Sequence, residues 1–493
     1  MPRPSRKRCP DFAGRLISLP EEPENWQQLT AGADGIVLLG LGPGDPQNLP
    51  FIKAAGGQKI FWLESPQGAA DAPLAPADWV ALAPGQAASA MAGRSVYFYR
   101  PGLRLAPDFW APLLARAAIG SAPAATRPGL VWLPGNDRQL LHAELRAGLR
   151  ELGYGSIAER SLPPDEWLAS FGSHKPELAL SVNFRGLDPE GRIFGFCREL
   201  DIPLAIWLVD NPWNLLTGIP LPWWRQARLF VTDASFIADL KRYGAKNARY
   251  LPLAAAQHMF GARPQREVAE PAFIGRSAFP GRERFFAAVK QEAGLLAQAE
   301  AEMRAGKLPD FHWWQNRLDL PLWPGSQVRQ ISQGADICSG SRRAHWAAQG
   351  LAAGLSIIGD AGWRELLPGA RILPPVDYYA QLPEIYARHA CILNVTSLLL
   401  PGSLNQRHFD VWAAGGFLLT DGTAGLALFP DELTDKVTLA APGEFGERLA
   451  FFQQRPALKA ELGHAWRECL LAGHTYRHRL CALAAELGIR LPG

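Results

Sequence analysis

SLNQRHFDVWAAGGFLLTD, Ser403 to Asp421, reads as loop, helix, turn and buried strand in direct succession. The loop carries Asn405 and Arg407, the helix carries His408 and Asp410, and Gly415-Gly416 separates that helix from the apolar run that follows. The start of a helix offers unpaired backbone N–H groups to phosphate oxygens. Asp410, about one turn in, is placed to accept hydrogen bonds from a ribose diol, and His408 beside Arg407 is within reach of the same ligand. Ala413, Ala414, Gly415 and Gly416 let the helix lie close to a sheet. A helix-turn-strand packed only for stability has the same pattern, so the segment by itself leaves both readings open.

Outward from this segment, short apolar runs alternate with helical patterns along the whole chain, as parallel sheets covered by helices do. The expected class is α/β. A C-terminal unit, residues 266–493, opens with PAFIGRSAFPGRERFF and continues through LSIIGDAGW and CILNVTS; its last part, from about Glu447, reads as helix, and its final helix is expected to cross back to the preceding unit. A middle unit, residues 126–265, holds GLVWLP, LALSVNF, PLAIWLVDNPW, ARLFVTD and ARYLPLA. Between the first two of these lies a helix with Leu141, Leu145, Leu149 and Leu152 on one face. A leading unit, residues 1–125, contains GIVLLGLGPGD and KIFWLES, with irregular connection expected from about Ala69 to Ala92 and through SAPAATRPG. Two facing Rossmann-like domains behind a Rossmann-like accessory domain is the predicted architecture.

The 493 residues are 48% hydrophobic and 20% charged, which suits several ordinary cores. A formal charge of +3 supplies no field for gathering nucleic acid. Six cysteines without a C-x-x-C pair form neither a disulfide framework nor a zinc site. No run of apolar residues is long enough for a membrane span and no export signal is visible, so a cytoplasmic protein without a transmembrane segment is expected.

The blocks DYYAQLPEIYARHACILNVTS, SLNQRHFDVWAAGGFLLTD and HTYRHRL together resemble the C-terminal half of CgeB-type proteins, the spore-maturation and flagellin-modification glycosyltransferase-like family. The resemblance is close over roughly Asp377 to Leu480 and extends more weakly back to Gly129. It implies the GT-B architecture, with the donor bound mainly by the second lobe and the acceptor entering against the first. In such enzymes an acidic residue at the place of Asp410, usually Glu, holds the donor ribose.

GRSAFPGRER, Gly275 to Arg284, follows the first strand of the donor unit. Gly275 permits close approach there, and Arg276, Arg282 and Arg284 could neutralise a diphosphate; the resemblance favours Arg282. Solvated loop arginines are the alternative. Glycosyl transfer needs a stabilised leaving phosphate and, with inversion, a base for the acceptor hydroxyl. Arg282 and Arg407 are the leaving-group candidates. Asp210, at the end of the strand in WLVDNPW, is the candidate base, with a turn-capping role as its alternative. Asp233 is more simply an N-cap. The chain has no D-x-D and no H-E-x-x-H, so transfer without a metal or other cofactor is expected.

In the leading unit, Gly40-Leu41-Gly42-Pro43-Gly44 with Glu64 imitates a nucleotide or S-adenosylmethionine fingerprint, although Pro43 disfavours a regular helix start. The expected function is transfer of a sugar from a nucleotide diphosphate-sugar to a protein, such as flagellin, or to a cell-surface glycan. The alternatives are a catalytically silent sugar-nucleotide or protein-binding scaffold, and methyl transfer in the leading unit.

Overall fold

The computed structural model describes residues 7–69, 75–120, 125–263 and 268–491. A small antiparallel pair, β1 (Arg8–Pro10) and β2 (Leu16–Ser18), precedes three larger sheets. The leading sheet contains β3 (Trp26–Thr30), β4 (Ile36–Leu39), β5 (Ile60–Leu63), β6 (Val80–Ala81) and β7 (Ser95–Tyr99) in the order β3-β7-β4-β5-β6. Only its edge strand β3 is antiparallel.

The middle sheet holds β8 (Ala125–Trp132), β9 (Ser156–Ala158), β10 (His174–Val182), β11 (Leu204–Leu208), β12 (Arg228–Val231) and β13 (Asn247–Tyr250), ordered β13-β12-β11-β10-β8-β9. The C-terminal sheet holds β14 (Ala272–Ile274), β15 (Ser356–Ile358), β16 (Ile372–Leu373), β17 (Ile392–Asn394), β18 (Leu418–Asp421) and β19 (Thr438–Leu439), ordered β16-β15-β14-β17-β18-β19. Every pairing in both sheets is parallel. Strands such as LAIWL are apolar at every position because helices cover both faces, and all five residues of β11 are buried. In each sheet the order reverses once, between β8 and β10 and between β14 and β17. Open parallel sheets bind ligands beyond the carboxyl ends of the strands at such a reversal.

The helix His142–Glu151 buries the predicted apolar face, Leu141, Leu145, Leu149 and Leu152. The last helix, Tyr476–Leu487, lies on it. A β-carbon on Gly148 would stand 2.8 Å from Leu480 Cδ1, so glycine permits this close approach. Arg479 fastens the same helix to the middle lobe by donating Nε to the carbonyls of Pro252 and Leu253, at 2.9 and 3.1 Å.

Two stretches expected to be irregular are partly ordered. Ala125–Pro128 belong to β8, because β10 starts early enough for His174 to pair with Ala125; residues 121–124 lie outside the described residues. Within Ala69–Ala92, β6 and the helix Ala87–Met91 form, while residues 70–74 are outside the description. Among the described residues no helix is long and apolar enough to cross a membrane.

Candidate active site

The carboxyl ends of the two parallel sheets face each other. After β12, Asp233 caps its turn by accepting from Ser235 N at 2.9 Å, and its other oxygen accepts from Gly402 N of the C-terminal lobe at 2.9 Å. After β11, Asn211 Nδ2 donates to the Leu399 carbonyl at 2.9 Å. The loop after β17 is thereby held against the strand ends of the middle lobe. Asp233 thus has the capping role anticipated for it and also joins the lobes.

Beyond β14 the chain turns at Gly275, and the loop is fixed from three sides. Trp363 Nε1 donates to the Gly275 carbonyl at 2.8 Å, and Ser277 N donates to Asp360 at 3.1 Å. Arg343, on the helix Val328–Leu351, donates Nη1 to the Arg276 carbonyl at 2.8 Å and Nη2 to that of Ser277 at 3.0 Å. At Gly359, a β-carbon would sit 2.3 Å from the Gly275 carbonyl oxygen, so only glycine lets the end of β15 approach this loop. Arg276 contributes its backbone here, while the residue as a whole is exposed.

Arg407 points back to the same strand end. Its Nη1 donates to the Ile274 carbonyl at 2.8 Å and its Nε to Asn394 Oδ1 at 2.7 Å. Asn405 supports it, accepting from Arg407 N at 3.1 Å and donating to Asn394 Oδ1 at 2.8 Å. Enclosure by protein pushes the Arg407 guanidinium below its ordinary value, although part of its surface remains open to water. Among the described residues it has no ion-pair partner. The same desolvation lowers Arg343; the like charges of Arg407 and Arg282 add to the effect, and Asp336 and Asp360 oppose it. Arg282 is paired with Asp336. Arg282, Arg343 and Arg407 therefore share one neighbourhood beyond β14, with Asp336, Asp360 and Asp421 as the carboxylates that act on them. Guanidinium forks suit phosphate oxygens.

Two expected ligand contacts are different in the structure. His408 turns toward the sheet, where its Nε2 lies 3.2 Å from Asn394 Nδ2 and 3.1 Å from Thr420 Oγ1. Desolvation pushes it down to about 4, and it supports the Asn394 web from within. The reason is helical geometry: successive residues at the start of Arg407–Ala413 face different directions. Asp410 is wholly buried and already engaged. Its Oδ1 accepts from Ala256 N at 3.1 Å and Gln406 Nε2 at 2.9 Å, and its Oδ2 from the Tyr378 hydroxyl at 2.5 Å. In this arrangement it presents no free acceptor to a ribose.

Across the crevice Asp210 follows β11. Asn183 Nδ2 donates to Asp210 Oδ2 at 2.7 Å, and Asn183 Oδ1 accepts from Val209 N at 2.8 Å. Asn183 and Phe184 adopt positive φ of 54° and 61°. This is an uncommon left-handed geometry, of the kind held at functional turns when the surroundings enforce it. Asp210 is open to water yet walled by protein on most sides, as a group at the floor of a crevice is. That enclosure raises its carboxyl above the usual carboxylate range, while Asn183 and the Arg185 charge draw it back.

Arg343 was not singled out in the sequence. Its signal is SGSRRAHW, an arginine pair among small residues inside a long helix, which reads equally well as a solvated face. In the leading sheet the glycine turn is filled from within. Glu64 Oε2 accepts from Leu41 N and its Oε1 from Ser65 N, both at 2.8 Å. β-Carbons on Gly40 and Gly42 would meet Tyr99 and the Trp26 ring at 3.2 and 3.3 Å.

These features define a two-lobed α/β protein of GT-B type, its lobes meeting at the carboxyl ends of their strands. Residues 341–485, which include Arg343, Arg407 and Asp410, match the family described as glycosyl transferase-like. No curated protein matches the chain. Among solved structures the chain is similar to T4 phage β-glucosyltransferase in complex with UDP-glucose, at 10% identity over 73% of this chain and 99% of that one, with a TM-score of 0.42. It is also similar to Anabaena HepE in complex with UDP-glucose, at 9% identity over 73% and 99%, with a TM-score of 0.43. A UDP-forming α,α-trehalose-phosphate synthase from Burkholderia vietnamiensis is similar at 11% identity over 92% and 99%, with a TM-score of 0.36.

Proposed function

We propose that the protein transfers a sugar from a nucleotide diphosphate-sugar to a hydroxyl of a protein or glycan acceptor, without a metal ion. The observation that carries this is the gathering of Arg282, Arg343 and Arg407 beyond β14, where Arg407 has no ion-pair partner among the described residues. As the bond between the anomeric carbon and the phosphate oxygen breaks, its electron pair goes to the diphosphate, and cations fixed in place stabilise that charge without reorganising. Asp210 takes the proton of the acceptor oxygen as that oxygen attacks. Its raised affinity for protons brings it nearer to the range in which such a base is effective. In the cytoplasm, the location we assign to it, activated nucleotide sugars would be available in solution.

The test is a donor-hydrolysis screen with purified protein and a panel of nucleotide sugars, followed by mass spectrometry of protein and glycan acceptors. Release of one nucleoside diphosphate is expected, and no release from any donor would count against transfer. One observation favours a second reading, a silent sugar-nucleotide-binding scaffold: Asp410 is closed off from the crevice. Donor binding without hydrolysis or transfer would select that reading.

A further inference from the structure

The segment Pro374–Gln381, between β16 and the helix Leu382–Arg388, carries two adjacent tyrosines that reach in different directions. Tyr378 donates its hydroxyl to Asp410 within the C-terminal lobe, at 2.5 Å. Tyr379 donates its hydroxyl to Glu144 Oε2 on the first turn of His142–Glu151 in the middle lobe, at 3.1 Å. The two rings are perpendicular, with centroids 4.9 Å apart. His258, on the connection between the lobes, lies 5.4 and 5.2 Å from them.

The connection is fastened to the same point. Asp410 accepts from Ala256 N, Gln406 Nε2 donates to the Ala254 carbonyl at 2.8 Å, and the Tyr476 hydroxyl on the last helix donates to Gln406 Oε1 at 2.9 Å. Glu144 and Asp410 are 5% and 0% exposed. Neither has an ion-pair partner among the described residues. Glu144 Oε1 and His258 Nε2 are buried with no hydrogen-bond partner. Two carboxyls, one from each lobe, thus meet through tyrosine hydroxyls with no cation between them.

We propose that this junction is a proton-operated latch between the lobes, which holds them together while Glu144 and Asp410 are neutral and loosens when both ionise. The groups facing Asp410 are Tyr378, Gln406, the Ala256 amide, Glu144, Tyr476 and Tyr386; those facing Glu144 are Tyr378, Tyr379, Asp137, Asp410 and Tyr476. His258, packed on both tyrosine rings, is held by burial below its ordinary value, toward its neutral form, and none of the other groups is a cation. Burial outweighs the hydrogen bonds donated by Tyr378, Gln406 and the Ala256 amide to Asp410 and by Tyr379 and Tyr378 to Glu144, which draw both carboxyls back. With the negative charge of Glu144 adding to the rise, Asp410 is pushed up to about 7, and Glu144 is raised as well. A carboxyl raised by folding gives its full stabilisation below its unfolded value and loses it as pH rises through the folded value. The latch therefore weakens from the ordinary carboxylate range up to neutrality. It does not depend on which reaction the crevice performs.

The test is hydrogen exchange of backbone amides in full-length protein, corrected for the intrinsic effect of pH, over residues 142–151 and 374–381. Between about pH 5 and about pH 8, protection in both segments is expected to fall roughly 10-fold or more. Glu144→Gln, which keeps an acceptor for Tyr379 but cannot ionise, should flatten that fall. Tyr379→Phe should lower protection across the range. Protection that is unchanged with pH in the wild-type protein, or an undiminished fall in Glu144→Gln, overturns the proposal. The first of these outcomes requires no variant to fold.

Discussion

Arg407 Nη1 donates to the carbonyl oxygen of Ile274 at 2.8 Å, so a cation from the start of one helix is fixed to the end of the first strand of the C-terminal sheet. Residues 133 positions apart in the chain are thereby joined at one side of the proposed anion site. Asn394, itself held by Asn405, gives the guanidinium its second anchor.

Arg407→Ala should weaken binding of the preferred nucleoside diphosphate by about 10- to 100-fold, the range for losing hydrogen bonds between charged groups. Arg407→Lys should recover part of this, because an ammonium carries the charge without the planar fork. Titration calorimetry measures both, and equal affinities in all three proteins would remove Arg407 from the site.

Asp210→Asn should leave nucleotide affinity intact and lower turnover by roughly 10²- to 10⁴-fold, as expected for a lost general base. In the wild-type protein, transfer should rise with pH as Asp210 loses its proton. That rise should lie above the usual carboxylate range, because the crevice favours the neutral acid. A pH–rate profile of kcat/KM checks this, and an identical profile in the variant would exclude the role.

Gly359→Ala should cost about 1–3 kcal/mol, as overpacking in a fitted contact does. Its β-carbon would fall 2.3 Å from the Gly275 carbonyl oxygen, and the loop bearing Arg276 and Ser277 would have to move. Denaturant unfolding with parallel nucleotide titration should show both losses. Full stability in the variant would mean that β15 and this loop are not so close.

Asp410→Asn should reduce the dependence of stability on pH. Folding pushes the Asp410 carboxyl up to about 7, so its contribution is largest in acid and is lost as pH rises to neutrality. The difference between wild-type and variant unfolding free energies should change across that window and level off above it. A constant difference would show that Asp410 does not titrate there.

Much of the fold was legible because both parallel sheets are built from runs such as LAIWL and FIG that end in turn residues, and because Leu141, Leu145, Leu149 and Leu152 repeat at helical spacing. Asn405, Arg407, Asp210 and the loop from Gly275 stood out because they follow strand ends or begin helices. What the sequence did not disclose depends on side-chain direction and on contacts between distant segments. His408 and Arg407 are neighbours, yet one supports the sheet and the other faces Ile274. Asp410 has the pattern of a ribose ligand, but Tyr378, Gln406 and the Ala256 amide occupy its acceptors. Arg343 lies in a helix whose sequence gives no sign that its end reaches two carbonyls beyond β14. The glycine turn of the leading sheet looked like a cofactor fingerprint, and only the folded arrangement reveals that Glu64, Tyr99 and Trp26 fill it.

The most direct measurement is calorimetric titration of the full-length protein with UDP, GDP, ADP, CDP and TDP, repeated with Arg343→Ala. Saturable binding of at least one of them is predicted, weakened by about 10-fold or more when the Arg343 guanidinium is removed. A folded protein that binds none of the five, or binds one equally well without Arg343, would contradict an anion site built from these arginines.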